Sequence, residues 1–153
     1  MWPRGFESPP LRQKFNQFFM NPKEPLHPPV HFEIPASDME RATNFYKELF
    51  GWEFNSSPGF EDYKVIYTLP VDENNMAQGY GINGGMMKQE SPGTGIINYI
   101  SVEDIDKYLS KLEELGGTIL MPKMPIKGIG WNAVVQDTEG NTFGMMQEDK
   151  NAQ

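Results

Sequence analysis

HFEIPASDMERATNFYKELFGWEF, residues 31–54, holds a strand, a turn, an amphipathic helix and the start of a second strand. In His31-Phe32-Glu33-Ile34 polar and apolar side chains alternate, so one strand face carries His31 and Glu33 and the other Phe32 and Ile34. Pro35 cannot donate to a ladder, and Ser37 or Asp38 can cap the helix that follows. Ala42, Phe45, Tyr46 and Leu49 recur at helical spacing and form one stripe for Phe32 and Ile34. Gly51 supplies a left-handed stop, and Trp52-Glu53-Phe54 turns back into a strand. His31 and Glu33 are left for the side of the sheet that the helix does not cover, where they would face a cavity.

Working outward, Tyr63–Leu69 reads as a third strand ended by Pro70, and Gly79–Lys88 as a glycine-rich fourth. Glycines so close together call for a bulge or for close approach of a ligand or backbone. They do not read as a phosphate cradle, since neither a helix start nor a Lys-Ser/Thr pair follows. After a linker at 89–95 the order of elements returns. A strand at 96–102 leads to a helix from Asp104 to Leu115, with Ile105, Tyr108, Leu109, Leu112 and Leu115 on one face. Gly116-Gly117 stops it; a strand at 118–121, a loop from Pro122 to Gly128 and strands near 130–136 and 141–147 complete the set. Asp38 to Gly51 is spaced like Asp104 to Gly117, and Gly85-Met86-Met87 echoes Gly144-Met145-Met146. Such self-similarity is an internal duplication. The expected fold is α+β: two βαβββ modules (30–88 and 96–147) in a single domain, 30–149, with helices packed outside curved mixed β-sheets. An extension, 1–29, precedes it and a tail, 150–153, follows.

This duplicated unit resembles the vicinal oxygen chelate superfamily, which includes glyoxalase I, bleomycin-resistance proteins and ring-cleaving dioxygenases. The resemblance rests on the first strand, Asp38, Phe45-Tyr46, Phe50-Gly51-Trp52 and the turn Asp137-Thr138-Glu139-Gly140-Asn141, and runs from Val30 to about Gln147. It is more specific for fold than for chemistry, because one fold hosts many activities. In metal-dependent members each half supplies two ligands, one from its first strand and one from its last. The resemblance places those positions at His31, Ile97, Gly85 and Gly144, of which only His31 carries a donor. One imidazole does not make a divalent-metal centre, so neither metal nor other cofactor is expected. The resemblance also implies a homodimer.

The catalytic candidates are His31 and Glu33. They read either as a general base with the carboxylate setting its tautomer, or as a hydrogen-bonded polar pair in a cavity wall. Alternation adds Ile97 and Tyr99 to the face of His31, and Gly85, Gly144 and Met146 with them. Trp131 would stand at the mouth beside 127–130, and Gly85 and Gly144 would leave the floor open. Three functions are compatible with this wall. The first is a metal-free protein binding a small apolar or aromatic molecule. The second is a glyoxalase- or dioxygenase-type lyase, isomerase or oxygenase using His31 with an atypical metal shell, and the third an interaction domain with a vestigial cavity.

At 153 residues the chain is long enough for one domain with a real core. It has no cysteine, which removes disulfides and thiolate metal sites and fits the cytoplasm. A net charge of −8 argues against nucleic acid, and no apolar run approaches the ~20 residues of a membrane span. Residues 1–29 show no usable period. Gly5-Phe6-Glu7-Ser8 and Leu11-Arg12-Gln13 are what the T-arm and CCA end of a transfer-RNA gene would encode, so translation is expected to begin at Met20. The alternative is an arm laid over a dimer partner through Phe15, Phe18 and Phe19.

Overall fold

The first half of the domain runs β1 (Pro29–Ala36), α1 (Met39–Phe50), β2 (Glu53–Ser57), β3 (Phe60–Tyr67) and β4 (Gly84–Lys88). The second repeats it as β5 (Ile97–Ser101), α2 (Ile105–Glu114), β6 (Thr118–Ile126), β7 (Gly130–Gln136) and β8 (Thr142–Glu148). This is a computed structural model, and it describes residues 26–57, 59–73, 77–91 and 95–153. The expected start at Met20 and the aromatic arm of the extension lie outside those residues.

Among the described residues, eight strands join in one mixed sheet, ordered β2-β3-β4-β1-β5-β8-β7-β6. In each half the first strand pairs in parallel with the last, β1 with β4 and β5 with β8. The halves meet where β1 and β5 run antiparallel, so the expected curved sheets are continuous across the duplication. Asp38 and Asp104 cap their helices alike, accepting from Arg41 N at 2.9 Å and Lys107 N at 3.1 Å. Gly51, at φ 70°, closes α1 in the left-handed conformation; in the second half that conformation falls on Gly116, at φ 88°, one residue earlier than the repeat spacing gives.

Both helices cover the same face. Ile34, Ala36, Ile66 and Met86 lie beneath α1 with Ala42 and Tyr46. Ile105 and Leu109 of α2 pack on Ala133, Val135 and Met145. The stripe on α1 differs from the expected one: Phe45 and Leu49 are 57% and 56% exposed, while Thr43 is buried. The helix is turned so that Ala42, Thr43 and Tyr46 face the sheet, and the Thr43 hydroxyl accepts from Lys64 Nζ at 3.2 Å. Leu115 is 69% exposed because α2 has already ended.

Two strand limits also change. The fourth strand begins at Gly84, since Asn83 Oδ1 accepts from Thr68 N and Leu69 N and holds the preceding residues as a loop. The expected loop from Pro122 instead continues β6 to Ile126, through Pro122 and Pro125. An edge strand tolerates proline because one row of its backbone groups has no ladder partner, and register shifts at 119/121 and 121/124 absorb the rest. The last residues are docked: Ala152 is 1% exposed, and its carbonyl accepts from Gly128 N at 3.1 Å. Among the described residues no helix is long and apolar enough to cross a membrane.

Candidate ligand site on the face without helices

Strand register decides which side chains share the other face. His31 lies opposite Tyr99 and Glu33 opposite Ile97 across the seam, while Glu33 is also level with Gly85. Tyr99 is level with Gly144, and Ser101 with Met146. Neighbours in one register row project to one side. His31, Glu33, Gly85, Ile97, Tyr99, Gly144 and Met146 therefore come together on the uncovered face. Trp131 does not. It packs against the core beneath α2, donates from Nε1 to Asp149 Oδ2 at 3.1 Å, and has Lys123 Nζ 4.7 Å from its ring centroid. Its place at the mouth is corrected to the helix side, because β7 turns Trp131, Ala133 and Val135 toward α2 and Asn132 and Val134 away.

The centre of the face is a polar network. The Tyr99 hydroxyl donates to Glu33 Oε2 at 2.7 Å, and the Tyr63 hydroxyl lies 3.1 Å from His31 Nε2. Tyr63 also faces the Glu33 carboxylate. Which partner donates in the His31–Tyr63 bond follows from the imidazole tautomer. Burial, then the Glu33 charge, pushes both phenols well above the ordinary tyrosine range, so they stay protonated. Burial lowers His31, against a smaller upward pull from Glu33, and the imidazole is neutral at pH 7. The His31 ring meets that of Tyr99 edge-on, with centroids 5.8 Å apart.

The glycine floor is not open, as alternation alone suggested. A Cβ on Gly144 would lie 2.1 Å from Cδ1 of Tyr99, and one on Gly85 would lie 1.9 Å from the Tyr63 hydroxyl oxygen. Each glycine is small because a tyrosine ring rests on it. The close approach anticipated for the glycine-rich strand is thus made by side chains, with Phe32 against Gly84 on the other face. This geometry also tests the metal positions implied by resemblance. Ile97, Gly85 and Gly144 offer no donor, tyrosines fill the space that longer side chains would need, and His31 is bonded to Tyr63. Among the described residues no three His, Asp or Glu side chains gather. The residues present do not fit a resident divalent metal.

Tyr63 and Asn132 are the site residues that sequence reading missed. Tyr63 alternates with Val65 and Tyr67; the register of β3 on β4 sets it level with Met87 and Val65 level with Gly85, and its ring reaches diagonally to Gly85. Asn132 is level with Met146 and Met124, and its Oδ1 is buried with no hydrogen-bond partner among the described residues. At the β2 end of the same face, Glu53, Asn55 and Tyr67 line a depression of about 460 Å³ that Thr68, Leu69, Pro70 and Val71 close.

Residues 29–68 match a family model described as bleomycin resistance protein-like N-terminal. A glyoxylase-like domain-containing protein of Didymella fabae is 30% identical over 118 residues, covering 74% of this chain and 88% of that protein. A putative glyoxylase of Mycobacterium tuberculosis is 26% identical over 123 residues, which cover 80% of this chain and 46% of the relative, so the chain spans about half of that protein. Two solved structures share the fold. A glyoxalase/bleomycin resistance protein/dioxygenase superfamily member from Vibrio splendidus 12B01 superposes with TM-score 0.55 at 17% identity, covering 80% of this chain and 100% of that one. Methylmalonyl-CoA epimerase of Mycobacterium tuberculosis gives 0.57 at 14%, with coverage of 79% and 87%.

Proposed function

The chain belongs to the glyoxalase/bleomycin-resistance/dioxygenase superfamily, and from that premise we propose that it is a metal-free member that holds a small apolar or aromatic molecule against the uncovered sheet face. One observation carries the reading. The tyrosine rings of Tyr63 and Tyr99 rest on Gly85 and Gly144, where metal-binding relatives would bring in ligand side chains. An aromatic surface with polar tips replaces the ion there, and such surfaces bind small organic molecules. Protein purified without chelators should carry far less than stoichiometric divalent metal, EDTA should leave its Tm unchanged, and a metabolite library should contain compounds that raise it. A bound, stoichiometric metal that His31→Ala removes would sink the proposal.

His31 favours a second reading, an enzyme of lyase, isomerase or oxygenase type. A neutral imidazole at the wall is competent as a general base at pH 7. Chemical conversion of a ligand found in the screen, lost in His31→Gln, separates this from binding alone.

The cysteine-free composition fits the cytoplasm, which is the compartment proposed. A homodimer is part of the same reading. Phe45, Leu49 and Phe50 leave an apolar patch on the outside of α1, of the kind that interfaces cover. Sedimentation at micromolar concentration should give twice the chain mass, and Phe45→Glu with Leu49→Glu should halve it; a parent that sediments as a monomer ends this part of the proposal.

A further inference from the structure

The residues just before β1 do more than lead into it. Ser101 N donates to Pro28 O at 3.0 Å, which carries the seam one step further and sets His27 beside α2. His27 Nδ1 lies 3.0 Å from Ser101 O, and Nε2 lies 2.6 Å from the Tyr108 hydroxyl. A carbonyl oxygen only accepts, so Nδ1 carries the ring hydrogen and the neutral imidazole presents a lone pair at Nε2. Tyr108 is then the donor in the shorter bond. The two rings meet edge-on, with centroids 4.8 Å apart. An acceptor that orients an imidazole, whose far nitrogen draws on a hydroxyl, is the arrangement that activates a nucleophile.

This pair lies on the helix side, away from His31. Val102 beside it packs into the core beneath α2, and Gln147 is level with Trp131. A depression of about 350 Å³ opens at His27, with Leu26, Val102, Glu103, Gln147 and Glu148 on its wall. Gln147 Oε1 accepts from Ile105 N at 2.9 Å, which fixes the oxygen end of that amide and leaves its N–H groups for a ligand. Glu103 and Glu148 set the sign of the wall, and no lysine or arginine lines it. Anionic phosphoryl and sulfuryl donors are repelled there, whereas a neutral acyl group is not.

We infer that Tyr108 is an acyl acceptor, with His27 as its base and neutral carboxylic esters as the substrate class. Tyr108 Oη bonds to the ester carbonyl carbon while its proton passes to His27 Nε2. The Gln147 amide donates to the carbonyl oxygen as negative charge builds on it. The bond from that carbon to the leaving oxygen then breaks, and the alcohol departs with the proton from Nε2. The products are an O-acyl tyrosine at 108 and one alcohol, and no other reactant is needed. The site shares no residue with the sheet-face reading above and stands or falls apart from it.

The test gives the full chain p-nitrophenyl butyrate, follows release of nitrophenolate, and maps the butyryl group by peptide mass spectrometry. The group should appear on Tyr108 ahead of Tyr80, although Tyr80 is 84% exposed. Tyr108→Phe, which removes only the oxygen, should abolish the adduct. His27→Gln should slow its formation about a hundredfold. Gln147→Glu, which keeps an oxygen for Ile105 N but loses the donor, should slow it roughly tenfold. That variant leaves the His27–Tyr108 bond in place, so the result stays readable if His27→Gln loosens the chain before β1. Butyrylation of lysines alone, a Tyr108 no faster than Tyr80, or a rate unchanged in both His27→Gln and Gln147→Glu overturns the assignment and leaves the pair a tether.

Discussion

Gly144→Leu should lower the Tm by roughly 10 °C, because the space above residue 144 is already filled. A Cβ there would come 2.1 Å from Cδ1 and 2.3 Å from Cε1 of Tyr99. The strand cannot give way, since β8 is bonded to β5 on one side and β7 on the other. Nor can the ring turn freely, as Tyr99 is only 5% exposed and its hydroxyl is held by Glu33 at 2.7 Å. Over-packing of this kind costs about 1–3 kcal/mol, and breaking the Tyr99–Glu33 bond adds about 1 kcal/mol. Because the Cβ alone makes the clash, Gly144→Ala should cost nearly as much as the leucine. Removing the ring should relieve it, so Gly144→Ala should cost far less in a Tyr99→Leu background. A Gly144→Leu protein that melts with the parent would show that Tyr99 does not lie over this glycine.

Glu33→Leu should be the second large loss, about 2 kcal/mol, from the Tyr99 phenol donor left without its acceptor in a half-buried site. Tyr99 donates to this carboxylate at 2.7 Å, and burial denies its hydroxyl an easy alternative in water. Glu33→Gln keeps an amide oxygen in place and should cost about 1 kcal/mol. The deficit in Glu33→Leu should shrink when Tyr99→Phe is added, since the orphaned donor is then gone. Urea denaturation of the four proteins reads the coupling, and strict additivity of the two changes would mean that the pair is not bonded.

Much of this arrangement was legible without coordinates, because β-strand alternation is a strong rule where the register is anchored. His31 and Glu33 share a face for that reason alone, and Tyr99, Gly144 and Met146 follow once the duplication aligns the halves. Trp131 was misplaced because Gly130–Gln136 is apolar on both sides, with Val134 on one and Ala133 and Val135 on the other. Periodicity cannot orient such a strand. Tyr63 was missed because alternation tells which residues share a side but not what lies across the ladder. The prolines of β6 suggested a loop, whereas their effect depends on whether the strand has a neighbour on its second edge, a property of topology. The rotation of α1 puts Ala42, Thr43 and Tyr46 on the sheet, with the Thr43 hydroxyl between Lys64 and Met86, and leaves Phe45 outside, a choice between neighbouring stripes that helical spacing does not make.

The antiparallel seam between β1 and β5 has a consequence for biosynthesis. Both strands lie in the middle of the sheet, yet each is the first strand of its half to leave the ribosome. β1 gains its first neighbour only when Gly84–Lys88 has emerged, and its second only with Ile97–Ser101. Until then the nascent chain carries an unpaired strand with both backbone edges open, the state in which chains pair with one another rather than with themselves. The hairpin β2–β3 can close early, but it cannot shield β1, since β4 must come between them. Translation speed across residues 37–101 therefore sets how long this chain is exposed to co-aggregation, and a chaperone that holds extended strands would act in that interval.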